Sequence, residues 1–251
     1  RGRQLAFLSN RDNLEGKPRP WAVYYWRKSK KKADAVAAEG CDGNPHRWWV
    51  SEHRAPSFSE NGKRLFLGTA PRPDPKDNNE KNGEGKDTDP NDEEEKVVKV
   101  DIWHWKDPLL QPHQLKQLDR ERKRSYLAVI HLDSGKLVQL ATQDIPEVSV
   151  GAEGEANIAL GKSRLPYRML ESWDSPGYQD VYIVNVRSGR SERILQRLQG
   201  NAQLSPAAKF VTWWDGRNVA WFALNVETRK TVNLTELLPH PVQDELHDRP
   251  S

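Results

Sequence analysis

The chain has 251 residues, a formal net charge of +3 at neutral pH and a sequence pI of about 8.9. This length suits one large domain, and so mild a basic charge is not by itself the footprint of a nucleic-acid-binding protein. A single cysteine, Cys41, excludes an intrachain disulfide, and no run of about 18 apolar residues is present to span a membrane. We therefore expect no nucleic-acid partner and no membrane span.

Two short sequence phrases recur along the chain and predict its strands. The first phrase is a Gly-Lys-like turn before an apolar run. In chain order it begins at Gly2, Gly62, Gly161 and Ala208, before the runs 5–8, 65–67, 165–170 and 210–214. The second phrase is an apolar run closed by a tight turn, seen at 126–136, 181–190 and 219–230. Glycine in such a turn supplies the positive φ that a hairpin requires, so each closing turn predicts a pair of antiparallel strands.

The spacing of these repeats predicts a β-propeller. Gly135 and Gly189 are 54 residues apart, and the next matching turn, at Thr228, follows about 40 residues later, which is the length of one four-stranded blade. We predict an all-β fold over 1–238, a partial β-propeller of about four blades, each a four-stranded antiparallel sheet. We expect 239–251 to be a linker or a loop to the next blade. Because the chain begins inside a repeat, we expect it to be part of a longer polypeptide.

One segment is too polar to belong to a blade. Residues 74–96 contain ten acidic and four basic side chains and no apolar residue. Such a segment buries too little apolar surface to offset the entropy lost on ordering. We predict a disordered, solvated insertion at about 72–96, with an acidic arm that binds cations or a basic partner as the alternative.

The aromatic and basic residues have both a structural and a binding interpretation. Adjacent residues of a strand face opposite sides of the sheet, so Trp213 and Trp214 should cover both faces of one blade. We expect the ten tryptophans to pack between blades, with a ligand-stacking platform as the alternative. The basic run 27–32 is interpreted as a solvated hairpin tip, with a phosphate-binding patch as the alternative.

The sequence lacks the common catalytic and metal-binding motifs. Residues 189–193 approximate a nucleophile elbow without its last glycine, and 161–163 approximate the end of a P-loop without its first glycine. The seven histidines have no metal-ligand spacing. The acidic residues between 144 and 155 are interpreted as a solvated loop, with a site for a cation or a substrate amine as the alternative. We therefore expect no catalytic residue, metal or cofactor in this chain.

The most specific segment follows the acidic insertion. Residues 101–108 have the sequence Asp-Ile-Trp-His-Trp-Lys-Asp-Pro, residues 111–114 have the sequence Gln-Pro-His-Gln, and an arginine-rich stretch leads into the strand at Tyr126. This pattern resembles bacterial peptidases of the prolyl oligopeptidase family, and in particular the propeller portion of their acylaminoacyl-peptidase-like members. The resemblance covers nearly the whole chain as a propeller and is strong only across 97–140.

Two blade turns carry the same resemblance with departures. Residues 58–65 and 204–210 resemble the Ser-Pro-Asp-Gly-Lys motif of the family's blades. Glu60-Asn61 replaces Pro-Asp in the first turn, and Ala207-Ala208 replaces Asp-Gly in the second. We expect these departures to weaken the tight turns locally without removing the repeat.

The resemblance implies the propeller part of a two-domain serine peptidase. An α/β-hydrolase domain, C-terminal on the same polypeptide, would carry Ser, Asp and His, and none of its motifs occurs in these 251 residues. The propeller would gate that active site, admitting short peptides as substrates and excluding folded proteins. The resemblance favours the periplasm or secretion and leaves the cytoplasm open.

Two other functional classes are compatible with the sequence. One is a TolB-like or WD-type propeller scaffold that binds proteins and has no hydrolase activity. The other is a propeller that binds carbohydrate or nucleic acid through its tryptophans and the basic run 27–32.

The family-like segment supplies the candidate residues for a structural or gating role: Asp101, Trp103, Trp105, Lys106, Asp107 and Arg124. Pro108 and Pro112 should take the chain out of the sheet, which predicts a helical or irregular excursion at about 106–124, with a short helix over 114–124. We hypothesise that this excursion packs against the blade edge. Asp101, Lys106 and Asp107 would then pair with Arg122 or Arg124.

Overall fold

In the computed structural model, the described residues are 2–11, 20–72, 104, 106–172, 174, 177–240 and 242. Within these residues, sixteen strands form four antiparallel sheets, and one α-helix lies between two strands of the second sheet. We number the sheets 1 to 4 in chain order.

The strands of each sheet are consecutive in the sequence. Sheet 1 consists of β1 (Gln4–Ser9), β2 (Ala22–Arg27) and β3 (Asp34–Ala37). Sheet 2 consists of β4 (Trp48–Val50), β5 (Ser57–Phe58), β6 (Arg64–Pro71), β7 (Tyr126–His131) and β8 (Lys136–Gln139). Sheet 3 consists of β9 (Glu147–Val150), β10 (Ile158–Ser163), β11 (Tyr178–Asn185) and β12 (Ser191–Gln199). Sheet 4 consists of β13 (Ala202–Leu204), β14 (Phe210–Asp215), β15 (Ala220–Asn225) and β16 (Thr231–Asn233).

Each sheet is an up-and-down meander. Sheets 3 and 4 have the strand orders β9-β10-β11-β12 and β13-β14-β15-β16, and sheet 2 has the order β4-β6-β7-β8, with β5 paired to the other end of β6. The last strand of one sheet leads directly to the first strand of the next, as β12 leads to β13. Four-stranded meanders linked in this way are the blades of a propeller.

The apolar core lies between consecutive sheets. Leu65 and Leu67 of β6 pack with residues of sheet 1, whereas Phe66, between them in sequence, packs with residues of sheet 3. Sheet 3 likewise buries Ala159 towards sheet 2 and Leu160 towards sheet 4. Neighbouring residues of a strand face opposite sides, so a strand with consecutive apolar residues is apolar on both faces. Each inner sheet therefore needs another sheet on each side. The chain is therefore all-β, with its sheets stacked as a partial β-propeller, as the repeats predict.

The repeated turns form at the predicted places. Gly135 and Gly189 close the β7–β8 and β11–β12 hairpins with φ of 70° and 73°. In the β15–β16 hairpin the non-glycine Arg229 takes the same conformation, with φ of 59°. In the turn before β14, Ala208 adopts φ of 53° while the Oγ of Ser205 accepts a hydrogen bond from the N–H of Phe210 at 3.0 Å. The family-like turn thus forms even where alanine replaces its glycine.

The tryptophan pair of β14 also follows the prediction. Trp213 is 4% exposed and packs in the core between sheets 3 and 4, with its ring stacked on Phe222 at a centroid distance of 5.6 Å. Trp214 lies on the opposite face, where its ring contacts Trp221. The two indoles therefore cover both faces of one sheet.

The strand expected at 165–170 does not form, and this prediction is wrong. Residues 161–163 are the end of β10 rather than a turn before a strand. The chain continues into short 3-10 helices at Leu165–Tyr167 and Leu170–Ser172. Pro166 explains the difference, because it has no N–H to donate to a neighbouring strand.

The excursion between β6 and β7 contains helix α1 (Gln111–Arg122), which begins three residues before the helix expected from the sequence. Leu115 and Leu118 are 53% and 39% exposed, so the helix does not bury its leucines against a blade. The acidic insertion predicted at about 72–96 lies, from residue 73 onwards, outside the described residues. Over the part of the chain that is described, no helix has the length and apolarity needed to cross a membrane.

Two glycine substitutions test whether sheets 2 and 3 pack as described. A Cβ at Gly189 would lie 2.5 Å from the backbone oxygen of Gln139 in sheet 2, whereas a Cβ at Gly135 would meet nothing within 4 Å. Gly135→Ala should lower the free energy of unfolding by about 1–2 kcal/mol, the cost of a side chain at positive φ. Gly189→Ala should lower the free energy of unfolding distinctly more in urea denaturation, because the clash with the Gln139 oxygen adds to the same backbone strain. Equal losses for the two variants would contradict this packing.

Candidate functional site

Several connections of the chain emerge at one end of the sheets. The strands β6, β10 and β14 run to this end, so the connections from β6 to β7, from β10 to β11 and from β14 to β15 all emerge there. The link from β12 to β13, at 200–201, emerges at the same end because alternate strands of an antiparallel sheet run in the same direction. Residues from these connections line two cavities, which makes this end the candidate functional surface.

The first cavity is a cleft of about 330 Å³ between helix α1 and the β10–β11 connection. Four arginines line it, two from each side: Arg120, Arg124, Arg164 and Arg168. Two carboxylates, Glu147 and Glu171, also line it. We call this cavity the arginine cleft.

One carboxylate beside the cleft holds two of the arginines. Glu121 accepts two hydrogen bonds from the guanidinium of Arg124, one of them from Nε at 2.8 Å, in a bidentate pair. Nη2 of Arg168 lies 4.0 Å from Oε1 of the same carboxylate. The hydrogen bond from Arg124 lowers the pKa of Glu121 despite the opposing effect of burial, and it raises the pKa of Arg124. This pair and Arg168 connect helix α1 to the β10–β11 connection.

Arg164 lies where the two cavities meet, because it lines both of them. Among the described residues, its side chain has no hydrogen-bonding or ion-pair partner. The nearby Lys162 donates from Nζ to Oδ1 of Asn201 at 2.6 Å. Burial lowers the pKa of Lys162, the charge of Glu147 opposes this shift, and the charge of Arg164 adds to it. The cations around Arg164 therefore repel one another.

A buried carboxylate fixes the connection that carries Arg164 and Arg168. Asp180 of β11 is 1% exposed and accepts a hydrogen bond from the hydroxyl of Tyr167 at 2.6 Å. It also accepts from Nη1 of Arg193 at 3.2 Å and from the backbone N–H of Arg197 at 2.9 Å. Desolvation, followed by the bond to Asp180, raises the pKa of Tyr167 to about 12, so this hydroxyl stays a donor at neutral pH. Sheet 3 thus holds the loop of the cleft through Tyr167.

The second cavity, of about 520 Å³, we call the tryptophan pocket. Trp214 and Trp221 lie on one side of it, with ring centroids 5.8 Å apart and planes tilted by 55°. The amides of Gln199, Asn201 and Gln203 line the rest together with glycine backbone. Aromatic faces beside amides suit a ligand that has both apolar and hydrogen-bonding groups.

The residues predicted from the family-like segment lie in different places. Asp101, Trp103 and Trp105 fall outside the described residues. Lys106 and Asp107 form a turn before α1, in which the carboxylate of Asp107 accepts a hydrogen bond from the backbone N–H of His104 at 3.0 Å. Of the described members of this set, only Arg124 lines the arginine cleft, and its carboxylate partner is Glu121, three residues earlier in the chain.

Sequence reasoning missed most of the cleft. The Glu121–Arg124 pair has a detectable signal, because residues three apart at the end of a helix lie on the same side. Arg168 belongs to the segment predicted as a strand, 165–170, and Arg164 directly precedes it. Both lie about 40 residues beyond the helix, and nothing local brings them together with it. Glu147, interpreted from the sequence as part of a solvated loop, is instead the first residue of β9. Within the described residues, no group of three or more His, Cys, Asp or Glu side chains is arranged to hold a metal ion.

Comparisons with known sequences give no family assignment. No protein-family model matches this sequence. No curated protein matches it either.

Solved structures show weak likenesses. TolB from Acinetobacter baumannii aligns over 92% of this chain and 40% of its own, with 13% identity and a TM-score of 0.30. The tricorn protease aligns over 92% of this chain and 21% of its own, with 11% identity and a TM-score of 0.36. A prolyl endopeptidase aligns over 85% of this chain and 26% of its own, with 10% identity and a TM-score of 0.37. This chain thus spans less than half the length of each, and likenesses this weak say nothing about activity.

Removing the Tyr167 hydroxyl tests how the cleft is held. Tyr167→Phe should lower the free energy of unfolding by about 1.5–3 kcal/mol in urea denaturation, because the buried Asp180 carboxylate loses a charge-assisted hydrogen bond. Tyr25→Phe is the matched control, since its hydroxyl makes an exposed contact with Gln4. The control should lose less than about 0.5 kcal/mol. If the two variants were equally stable, Asp180 would not be what holds the connection.

Proposed function

We propose that this chain is the non-catalytic propeller portion of a serine oligopeptidase or dipeptidyl-peptidase-like enzyme. It gates the access of peptides to an α/β-hydrolase active site on the same polypeptide. The observation that carries the proposal is the pair of cavities at one end of the sheets. One of them, the arginine cleft, is lined by residues of the same excursion that contains the family-like segment.

The size and chemistry of the two cavities suit short peptides. Volumes of about 330 and 520 Å³ fall in the range of small-ligand sites and are too small for a folded domain. The arginine cleft presents both charges, through Arg164 and Glu171 for example, and the tryptophan pocket adds apolar and amide surface. Peptides carry charged termini, amide groups and apolar side chains, so each feature of the surface has a counterpart in such a ligand.

The two domains of the polypeptide would have different roles in the reaction. The hydrolase domain would supply the serine nucleophile, its base and the oxyanion hole for acyl transfer to serine and then to water. This chain would supply selection and positioning, because binding energy from groups remote from the reacting bond helps to orient it. The partners of this chain are then the hydrolase domain and the peptide substrate.

Serine-hydrolase labelling of the complete polypeptide tests this proposal. A fluorophosphonate probe should label the polypeptide that contains this chain and should leave residues 1–251 alone unlabelled. Labelling of neither would favour the TolB-like scaffold without hydrolase activity. Labelling of 1–251 alone would place a nucleophile in this chain and contradict its non-catalytic role.

Substitutions in the cleft test the gating role in the same polypeptide. Arg164→Ala combined with Arg168→Ala should raise the KM for a short peptide while leaving labelling by the small probe unchanged, because only the peptide reaches the cleft. Arg190→Ala is the matched control, since this exposed arginine lies in the β11–β12 turn at the other end of sheet 3. Unchanged KM in the double variant would contradict a gating role for this end of the propeller.

A further inference from the structure

The arginine cleft holds guanidinium groups that its own carboxylates do not occupy. Arg124 and Arg168 share Glu121. Arg120 donates from Nη2 to the side-chain amide oxygen of Gln117 at 3.1 Å, which leaves its charge uncompensated by that bond. Arg164 has no polar partner among the described residues. The cleft therefore has donors and positive charge available for an incoming anion.

The charge at Arg164 is not explained by the fold. Basic residues in the last turn of α1 offset the helix dipole, which accounts for Arg120, and Glu121 accounts for Arg124. Arg164 instead follows Lys162 on the same segment, so the two cations repel each other. An anion beside Arg164 would relieve that repulsion. Glu147 of β9 lies in the same cleft and partly offsets the charge of Lys162, but among the described residues no carboxylate pairs with Arg164 itself.

We infer that the arginine cleft binds a carboxylate group of a peptide, with Arg164 as its main ligand and Arg168 and Arg120 beside it. That the ligand is a peptide rests on the proposed function, whereas the carboxylate rests on the cleft alone. The planar guanidinium matches the two oxygens of a carboxylate and binds them with parallel, charge-assisted hydrogen bonds. Arg168 is only 27% exposed, and this partly buried setting strengthens its share of these bonds.

The position of Arg164 also orients the ligand. Because Arg164 lines both cavities, a carboxylate bound to it leaves the adjoining part of the ligand beside the tryptophan pocket. Trp214 and Trp221 offer apolar surface there, and Gln199 and Gln203 offer hydrogen bonds to peptide groups. The favoured ligand is thus a short peptide with an aromatic or apolar residue next to its carboxylate.

Calorimetric titration of the 251-residue chain with three peptides tests the inference. The peptides are acetyl-Ala-Ala-Phe as the free acid, the same peptide as its amide, and acetyl-Ala-Glu-Phe amide. The free acid should bind about tenfold or more tightly than its amide at low salt, and this preference should shrink as salt rises. Equally tight binding of the glutamate peptide would assign the carboxylate to a side chain, and weak binding of it would assign the carboxylate to the C-terminus.

Variants at Arg164 connect the preference to this cleft. Arg164→Ala should remove most of the preference for the free acid and leave the affinity for the amide unchanged. Arg164→Lys, which keeps the charge but not the planar fork, should retain part of it. Arg190→Ala should behave like the unmodified chain. Arg164 is exposed, so circular dichroism of its variants should show the fold unchanged.

Three results would overturn the inference: equal affinity for the free acid and the amide, an equal loss for both peptides in Arg164→Ala, or full competition by millimolar inorganic phosphate. The third would make the cleft a general anion site rather than a carboxylate site.

Failure of this inference can be told apart from failure of the proposed function. If the fluorophosphonate probe labels the polypeptide but the chain binds the free acid and the amide equally, the proposed function stands and this inference fails. If the probe does not label the polypeptide but the chain prefers the free acid, carboxylate binding stands and the proposed function fails.

Discussion

Sheets 2 and 3 are apolar on both faces, and the rest of the structure depends on covering those faces. In β6 and β7 the residues alternate between two cores: Leu65 and Ile130 pack towards sheet 1, whereas Phe66 and Val129 pack towards sheet 3. Burial of each such side chain contributes about 1.5–3 kcal/mol, so no sheet is stable without its neighbours. Arg64, which is 8% exposed, adds a polar link, because its guanidinium donates to the backbone oxygens of Gly154 and Ala156 in the β9–β10 connection.

The same stacking creates the candidate site. Because successive sheets repeat the same antiparallel meander, equivalent strands run in the same direction. The β6–β7, β10–β11 and β14–β15 connections therefore all emerge at one end. The excursion of sheet 2 and the connection of sheet 3 are thus placed side by side, and Glu121 and Arg168 meet between them. Asp180 extends the rigidity of sheet 3 into its connection through the Tyr167 hydroxyl. The charged cleft is therefore positioned by the packed sheets, although its own residues are partly exposed.

The sequence predicts what depends on local chemistry and misses what depends on distant contacts. Gly135 and Gly189 are recognisable because a tight hairpin needs a positive φ, and the alternation of Trp213 and Trp214 follows from the two-residue period of a strand. Gly161 was misread as a turn residue. It lies inside β10, where an added Cβ would sit 2.8 Å from the Ile145 side chain, and this packing cannot be read from neighbouring residues. Arg164 and Arg168 were missed for the same reason, since only the stacked sheets bring them to helix α1.

Hydrogen exchange measured by mass spectrometry, on the unmodified chain and on Arg64→Ala, tests the mutual stabilisation of sheets 2 and 3 most directly. If the two sheets support each other, the amides of β6, β7, β10 and β11 should be the slowest to exchange and should do so with similar protection. Loss of the Arg64 guanidinium should then weaken protection in both sheets together. Protection lost only in the turn around Arg64, with β10 and β11 unchanged, would contradict the account and show that the sheets are stable independently.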